Sequence, residues 1–237
     1  MDTHGGHWET NVEKVLLSYA QPGMRVADIG AHFGYYTIKM GKKIGPNGYL
    51  YSFEPNPEMN KFVEENIKLN GLNFYAKLCK HALGENPGAA TLAYSGGNLA
   101  QATLADYVNA DTKVVVEVKQ LDTVVSHPLD LVKLDAEGYE PFILKGATRT
   151  IQDAPDCALM MELNLSRWEM HSTIAELPKL VGETKLIFAV TAQGGLKPMP
   201  IDAISSFLQG CAFTENYFFF CPDNEQALTR IAPLVIR

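Results

Sequence analysis

The sequence predicts an α/β fold, namely a Rossmann-like, doubly wound and mostly parallel sheet with a β-rich insertion. Short buried strands alternate with helices between residues 25 and 79, which is typical of parallel sheets because the helices act as crossover connections. A glycine-containing turn joins the first strand to its helix. Between residues 84 and 128, glycines, an Asn-Pro step and alternating apolar residues replace the helical pattern, and this change predicts the insertion.

Local sequence signals mark where the predicted elements begin and end. Pro22-Gly23 ends an N-terminal helix within residues 1–22. Asn56-Pro57 supplies an N-cap followed by proline at the first helical position, and Asn70-Gly71 is a good left-handed C-cap. The predicted strands are residues 25–29, 49–53, 74–79, 129–134, 157–163, 185–190 and 216–221, and the predicted helices are residues 8–20, 35–44, 57–69, 138–146 and 173–181.

Composition limits the size, location and partners of the protein. With 237 residues, 46% of them hydrophobic, the chain is predicted to form one domain over residues 1–237. A net charge of −7 disfavours a nucleic-acid partner, because phosphate backbones are bound by basic surfaces. Residues 1–9 contain no signal-peptide core, and no apolar run approaches the roughly 20 residues of a membrane span. The four cysteines are widely spaced, which together with these features predicts a cytoplasmic protein.

The turn after the first strand indicates the kind of ligand. Its pattern, Asp28-x-Gly30-x-x-x-Gly34, differs from the GxGxxG turn that binds the pyrophosphate of dinucleotides. Asp28 would repel a pyrophosphate, whereas a ligand with a cationic head and no phosphate suits this turn. S-adenosylmethionine is the common ligand of that kind. The alternative is a structural turn that needs small residues only to enter its helix.

A second acid favours a cofactor that contains adenosine. Glu54 ends the second strand, where a carboxylate can accept hydrogen bonds from both ribose hydroxyls; an exposed strand-end acid is the alternative. His81 and Ala82 follow the third strand and are adenine-side candidates by position. Asn56 is either a ligand contact or the cap of its helix. The predicted cofactor-binding residues are Asp28, Gly30, Ala31, His32, Gly34, Tyr36, Thr37, Glu54, Pro55, Asn56, His81, Ala82 and Asp135.

Three residues are candidates for catalytic roles. Asp135 follows the strand at 129–134, at the end of the sheet where open parallel sheets bind ligands, and can orient a sulfonium, a substrate hydroxyl or a divalent cation. Glu162 lies in an apolar strand, where a carboxylate is costly unless it is paired or wetted by a pocket; a structural hydrogen bond is its alternative. His171 follows in a stretch predicted to form the acceptor wall. Magnesium between Asp135 and Glu162 is chemically reasonable, but no spacing demands it.

Several blocks of the sequence resemble the FkbM-type methyltransferases. The block around residues 133–147 is the most specific, whereas the first is shared with many methyltransferases. His32 departs from the pattern because the family usually has asparagine there, and a charged histidine would disfavour a neighbouring sulfonium. In chain order, the blocks are Asp28-Ile29-Gly30-Ala31-x-x-Gly34-x-x-Thr37, Phe53-Glu54-Pro55, Leu121-Asp122-Thr123-Val124, Lys133-Leu134-Asp135-Ala136-Glu137-Gly138-Tyr139-Glu140 and Leu144-Lys145-Gly146-Ala147.

The resemblance implies a class I methyltransferase fold with a late antiparallel strand, S-adenosylmethionine as donor, and O-methylation of a hydroxyl on a sugar, glycolipid or natural-product scaffold. Asp135, Glu162 or His171 would then be the general base. The implied partner is a small-molecule or glycan acceptor rather than a nucleic acid. Two alternatives stay open: a non-catalytic nucleoside-binding or scaffolding module, and an NAD-dependent oxidoreductase. For the latter, Ala31-His32-Phe33 places bulk where the second glycine is needed.

Overall fold

The computed structural model describes residues 9–95, 98–104, 110–210 and 217–236. Residues 1–8, Cys211 and Asn216, which the sequence predictions include, lie outside them. The helices are α1 (Thr10–Tyr19), α2 (Tyr35–Ile44), α3 (Pro57–Leu69), α4 (Leu121–Val124), α5 (Glu140–Lys145), α6 (Leu165–Glu169), α7 (Leu177–Val181), α8 (Ile201–Gln209) and α9 (Glu225–Ile231). The strands are β1 (Arg25–Ile29), β2 (Tyr49–Phe53), β3 (Ala76–Cys79), β4 (Ala82–Leu83), β5 (Gly88–Ser95), β6 (Asn98–Thr103), β7 (Thr112–Lys119), β8 (Leu131–Leu134), β9 (Ala158–Glu162), β10 (Leu186–Val190), β11 (Leu196–Pro198) and β12 (Tyr217–Cys221).

The main sheet has the strand order β11-β10-β12-β9-β8-β1-β2-β3. Strands β9, β8, β1, β2 and β3 pair in parallel, and β12 is antiparallel to both β9 and β10. The predicted α/β fold with a mostly parallel sheet and a late antiparallel strand is confirmed. The chain runs outward from β1 to β3 and then returns to β8 on the other side of β1. This reversal of strand order places a topological switch point between β1 and β8.

Helices cover both faces of the main sheet, because each carries a row of buried apolar residues. On one face α1, α2 and α9 pack on the sheet through residues such as Leu16, Met40 and Ile231. On the other face α5, α7 and α8 do the same, with Leu144 and Leu177 fully buried. Strands β8 and β9 are buried along their whole length, as expected for parallel strands covered on both sides.

The β-rich insertion forms a second sheet, with the order β4-β7-β5-β6. Strand β5 pairs antiparallel with both β7 and β6. The apolar face of this second sheet has a small core that contains Leu92, Tyr94 and Val116. The insertion extends over the carboxyl ends of the parallel strands, and this position makes it part of the site described below.

Predicted elements that have an observed counterpart differ from it mainly in length. Strand β3 begins at Ala76 rather than at residue 74, because residues 72–75 form a turn in which the Tyr75 N–H donates to the Leu72 carbonyl. The predicted helix at 173–181 is a 3₁₀ turn at Ile174–Glu176 followed by α7. Cysteines 79, 157 and 221 are buried free thiols. Among the described helices, none has the length and apolar character needed to cross a membrane.

Candidate functional site

A cavity of about 310 Å³ opens at the carboxyl ends of β1, β2, β8 and β9, at the switch point of the main sheet. The turn after β1 forms its floor, and the insertion covers it through Leu92 and Thr103. The N-terminal end of α1 reaches the cavity at Glu9, and β12 contributes Tyr217. Ligands of open α/β sheets bind at this place, which makes the cavity the candidate active site.

Most of the predicted site residues meet in this cavity. Among the predicted catalytic residues, Asp135 and Glu162 line it and His171 does not. Asp28, Gly34, Thr37 and Asn56 are likewise absent from its lining. The predicted cofactor-binding residues that line it are Gly30, Ala31, His32, Tyr36, Glu54, Pro55, His81, Ala82 and Asp135.

Asp28 and Thr37 hold the turn in place from behind. Asp28 is fully buried, and one of its carboxylate oxygens accepts a hydrogen bond of 2.6 Å from the Thr37 hydroxyl. Thr37 is also 2.8 Å from the Ser52 hydroxyl. Because side chains alternate between the two faces of a strand, Asp28 points toward α2 and not past the end of β1. These contacts make Asp28 a link between β1, α2 and β2, and its contact with the cofactor stays a prediction.

Three further predicted site residues, Gly34, Asn56 and His171, lie outside the cavity lining. Gly34 is the N-cap of α2 with a φ of 90°, and the Asn56 side chain accepts from the Glu58 N–H as the N-cap of α3. The chain turns at the end of α6, which leaves the His171 ring against Phe142, with 4.9 Å between ring centroids. His171 is absent from the cavity lining, so its role as a general base stays a prediction.

Gly30 allows two ligand-binding turns to touch. Its φ is 78°, and a Cβ built on it would lie 1.7 Å from the Asp135 carbonyl oxygen. The N–H groups of Gly30 and Ala31 both donate to the Phe53 carbonyl, at 3.1 and 3.0 Å. The turn after β1 is thereby fixed to the ends of both neighbouring strands, β2 and β8. A side chain at position 30 would separate them.

Glu54 is fixed with its carboxylate at the cavity wall. It is 6% exposed, and its two oxygens accept hydrogen bonds from the backbone N–H groups of His32 (2.7 Å) and Asn56 (2.8 Å). Burial raises the pKa of Glu54 to about 7, although these two hydrogen bonds act in the opposite direction. Each carboxylate oxygen keeps a second lone pair, so Glu54 can still accept hydrogen bonds from a ligand.

His32 is neutral at neutral pH. Burial and the nearby Lys133 ammonium both lower its pKa, and Asp135 opposes them. A neutral ring removes the electrostatic objection to a sulfonium near His32. The residue has a φ of 52°, in the left-handed region that asparagine also tolerates.

The backbone at position 32 predicts different results for two substitutions. His32→Asn is expected to shift the melting temperature by less than about 2 °C, because asparagine accepts the left-handed conformation. His32→Val is expected to cost about 1–2 kcal/mol, because a β-branched side chain is strained there. Thermal unfolding of both variants checks this, and equal stabilities would contradict the importance of the backbone conformation.

A polar cluster that no sequence pattern predicts lies at the cavity and consists of Lys133, Asp135, Tyr217, Glu9 and Tyr36. The Lys133 ammonium is 3.1 Å from Asp135 Oδ2, and the Tyr217 hydroxyl is 2.8 Å from the same oxygen. The Tyr217 hydroxyl is also 3.0 Å from Glu9 Oε1, and the Tyr36 hydroxyl donates to Glu9 Oε2 at 2.9 Å. The sequence placed Glu9 in a polar tail and Tyr217 in a buried strand. No pattern in the sequence assigns a role to Lys133.

Proton positions in this cluster follow from the number of hydrogens available. The Tyr217 hydroxyl has one hydrogen but lies between two carboxyl groups, so it can donate to only one of them. Burial, and next the charge of Asp135, raise the pKa of Glu9. A proton on Glu9 satisfies every contact: Tyr36 donates to Glu9, Glu9 donates to Tyr217, and Tyr217 donates to Asp135.

Removing the Tyr217 hydroxyl tests this cluster. Tyr217→Phe is expected to reduce the free energy of unfolding by about 1–2 kcal/mol, because the buried Glu9 loses a partner and Asp135 loses a donor. The matched control is Tyr75→Phe, whose side chain is only partly buried and belongs to a turn far from the cavity. Urea unfolding of both variants gives the comparison, and an equal change in both would contradict the cluster.

The wall opposite Glu54 contains Glu162, and Glu140 lies buried near Glu162 without lining the cavity itself. Glu162 is 6% exposed, and burial together with the charges of Asp135 and Glu140 raises its pKa to about 10. Glu140 is 5% exposed and accepts from the backbone N–H groups of Ala136 (2.7 Å) and Gly138 (3.3 Å). In the free protein, Glu162 therefore holds a proton at neutral pH, so it is a hydrogen-bond donor rather than a base there.

Glu137 links this wall to the insertion. Its carboxylate pairs with the Arg167 guanidinium, and its carbonyl accepts a 3.0 Å hydrogen bond from the Thr103 hydroxyl. It has a φ of 53°, which turns the chain between β8 and α5. These contacts hold the covering sheet against the carboxyl-rich wall.

Comparisons with known proteins agree with the geometry. Residues 28–188 match the family model described as the methyltransferase FkbM domain, which is more than half of the chain. A protein-L-isoaspartate O-methyltransferase of Aeropyrum pernix is 35% identical over 51 residues, covering 22% of this chain and 20% of that protein. The chain aligns with a third or less of the length of the curated relatives it matches.

Two crystal structures have a similar fold. Methyltransferase FkbM from Methylobacillus flagellatus KT gives a TM-score of 0.56 at 13% identity, covering 83% of this chain and 43% of that chain. A SAM-dependent O-methyltransferase from Thermotoga maritima gives 0.53 at 13% identity, with 90% and 65% covered. At these identities the similarity shows the fold alone.

Proposed function

Because the chain belongs to the FkbM methyltransferase family, and is thus an S-adenosylmethionine-dependent methyltransferase, we propose that it methylates a hydroxyl oxygen. The acceptor is a sugar, glycolipid or natural-product scaffold. The observation that carries the proposal is the composition of the cavity wall opposite Glu54. That wall presents Asp135, Glu162 and Tyr217, which can bind and deprotonate hydroxyl groups. The predicted cytoplasmic location stays a prediction.

The cofactor implied by the family fits the residues at one end of the cavity. Gly30 keeps its turn free of a side chain, and Glu54 offers fixed carboxylate oxygens to the ribose hydroxyls. His81 is 9% exposed, and its buried Nε2 has no hydrogen-bond partner within the part of the chain that is described. An adenine edge would satisfy that nitrogen. When bound, S-adenosylmethionine supplies an electrophilic methyl group.

The chain's own residues then act on the acceptor. An alcohol is a poor nucleophile until it loses its proton, and Asp135, ion-paired with Lys133, is the carboxylate that accepts it. Glu162, which holds a proton in the free protein, donates a hydrogen bond that orients the acceptor. The covering insertion excludes water, and well-oriented pairs of reactants gain roughly 7–11 kcal/mol from alignment alone.

A labelled-methyl transfer assay tests this function. Tritiated S-adenosylmethionine is incubated with a panel of glycosides and glycolipids, and the product is treated with alkali. A methyl ether survives alkali, whereas a methyl ester, the product of carboxyl methylation, is hydrolysed. Asp135→Asn is expected to lower the rate by about 10²–10⁴, and Glu64→Gln, an exposed surface change, is expected to leave it unchanged.

Three results would contradict the proposal. Alkali-labile product would assign the chain to carboxyl methylation instead. Thermal stabilisation by NAD and not by S-adenosylhomocysteine would favour the oxidoreductase alternative. A protein that binds S-adenosylhomocysteine but transfers no methyl group to any acceptor would favour a nucleoside-binding module.

A further inference from the structure

We propose that Asp135, Glu140 and Glu162 form a binding site for one divalent cation, of the type of Mg²⁺ or Mn²⁺, beside the acceptor hydroxyl. The inference rests on the proposed function, because it names the ion that would hold that hydroxyl. One ligand oxygen from each residue lies within 4.8 Å of the other two. Carboxylate oxygens bound to one Mg²⁺ ion at about 2.1 Å lie roughly 3–4 Å apart. Small side-chain rotations therefore suffice to close the site.

Glu162 is the residue whose surroundings point to a missing partner. Its side chain is 6% exposed and faces the cavity. Within the described ranges, no backbone or side-chain group donates a hydrogen bond to its carboxyl group. A buried carboxyl group without a partner is costly, so such groups are normally paired or bound to metals. A cation at this place supplies the partner that the protein itself does not.

The other two carboxylates are already oriented by contacts behind them. Asp135 Oδ2 is held by the Lys133 ammonium and the Tyr217 hydroxyl, which leaves Oδ1 for a ligand. Glu140 Oε1 is held by the Ala136 and Gly138 N–H groups, which leaves Oε2. Such outer contacts are typical of metal-ligating carboxylates, because they fix the orientation of the ligand oxygen. Three oriented oxygens suit a hard cation.

The charged side chains around the cavity are compatible with a bound cation. Among the described residues, five carboxyl side chains line the cavity, together with the two cationic side chains of Lys133 and Arg167. Lys133 is paired with Asp135, and Arg167 with Glu137. Neither forms an ion pair with Glu162. Because Glu162 holds a proton in the free protein, the charge of a divalent cation would be balanced when Glu162 ionises beside Asp135 and Glu140.

The ion would act on the acceptor. A hydroxyl bound to a divalent cation has a lower pKa than a free one, so it loses its proton more readily. The same ion would take the place of the proton on Glu162, because a carboxyl group must be deprotonated to ligate.

Titration of the full chain with Mn²⁺ alone, followed by electron paramagnetic resonance of the free ion, tests the site without donor or acceptor. One Mn²⁺ per chain is expected. Glu162→Gln and Glu140→Gln are each expected to weaken binding at least about tenfold, while the matched surface variant Glu64→Gln binds as the wild type does. Circular dichroism confirms that each variant is folded. The proposal is overturned if the wild type binds no Mn²⁺ at millimolar concentration, or if both site variants bind it equally well.

The failure of this site and the failure of the proposed function give different results. If the chain binds one Mn²⁺ through these residues but methylates no hydroxyl, the metal site is supported and the proposed function is contradicted. If the chain methylates a hydroxyl at full rate in EDTA and binds no Mn²⁺, the proposed function is supported and the metal site is contradicted.

Discussion

A Lys133→Met variant is expected to lose about 3–5 kcal/mol of unfolding free energy. The Lys133 side chain is 3% exposed, and its ammonium contacts Asp135 Oδ2 at 3.1 Å and the Gly30 carbonyl at 3.4 Å. It also stabilises the charged form of the fully buried Asp28. Methionine keeps much of the packing, including the contact with the Tyr36 ring, but it leaves these carboxylates without their cation.

Urea unfolding at two pH values separates lost charge from lost packing. The destabilisation should be smaller at pH 5 than at pH 8, because burial raises the pKa of Asp28 and its protonation removes part of the uncompensated charge. The double variant Lys133→Met/Asp135→Asn should recover part of the loss. Lys80→Met, which breaks a surface pair with Glu64, should change stability by less than about 1 kcal/mol. A Lys133→Met protein within 1 kcal/mol of the wild type would contradict the central role of Lys133.

The first half of the main sheet was predictable because its signals are local. Strands β1 and β2 and helices α2 and α3 have the predicted bounds. Asn56 caps α3 as its position before Pro57 indicated, and Gly34 begins α2 in the left-handed conformation. Each of these signals acts within a few residues, so it needs no knowledge of the tertiary structure.

The helices and strands in the last third of the chain are marked by weaker sequence patterns. Strand β11 has three residues and α6 has five, so both are shorter than the windows over which an apolar pattern can be recognised. The sequence analysis also missed α8 and α9, although Asn224 caps α9 through a hydrogen bond to the Ala227 N–H. Packing on the sheet stabilises these helices through residues such as Ile204 and Ile231, which are fully buried.

The part of the candidate site that could be predicted from the sequence is the part formed by residues directly after β1 and β2. Gly30 and Glu54 end adjacent strands, so their patterns already place them together. Tyr217 reaches Asp135 because β12 inserts beside β9, a consequence of strand order that no local pattern reveals. The contact of Asp28 with Thr37 of α2 was not predictable either, because it depends on which face of the sheet α2 covers.

Glu54→Gln is expected to weaken binding of 5′-methylthioadenosine about 10- to 100-fold at pH 8. This ligand has the ribose and adenine of the cofactor but no amino-acid group, so it reports on the adenosine end of the cavity. The two oxygens of Glu54 already accept from the backbone of His32 and Asn56, which aims the carboxylate. Glutamine replaces one acceptor oxygen by an NH₂ group, and both the ribose and one backbone N–H lose a partner.

The pH dependence of the same binding gives a sharper result, because burial raises the pKa of Glu54 to about 7. Ribose hydroxyls donate to the carboxylate, so binding favours its charged form. As the pH falls from 8 to 6, most Glu54 becomes protonated in the free protein, and the dissociation constant should rise about tenfold. Adenine protonates well below this range, so the ligand itself does not titrate.

Isothermal titration calorimetry of the wild type and Glu54→Gln at pH 6, 7 and 8 measures both effects. The wild type should bind the ligand more weakly at pH 6 than at pH 8. The variant has no carboxyl group at this position and should bind with the same weak affinity at all three pH values. Glu58→Gln, two residues beyond Asn56 in the exposed first turn of α3, keeps the wild-type pH dependence and serves as the matched control. A pH dependence that persists in Glu54→Gln would assign the titration to another group, because no carboxyl group would then remain at the end of β2.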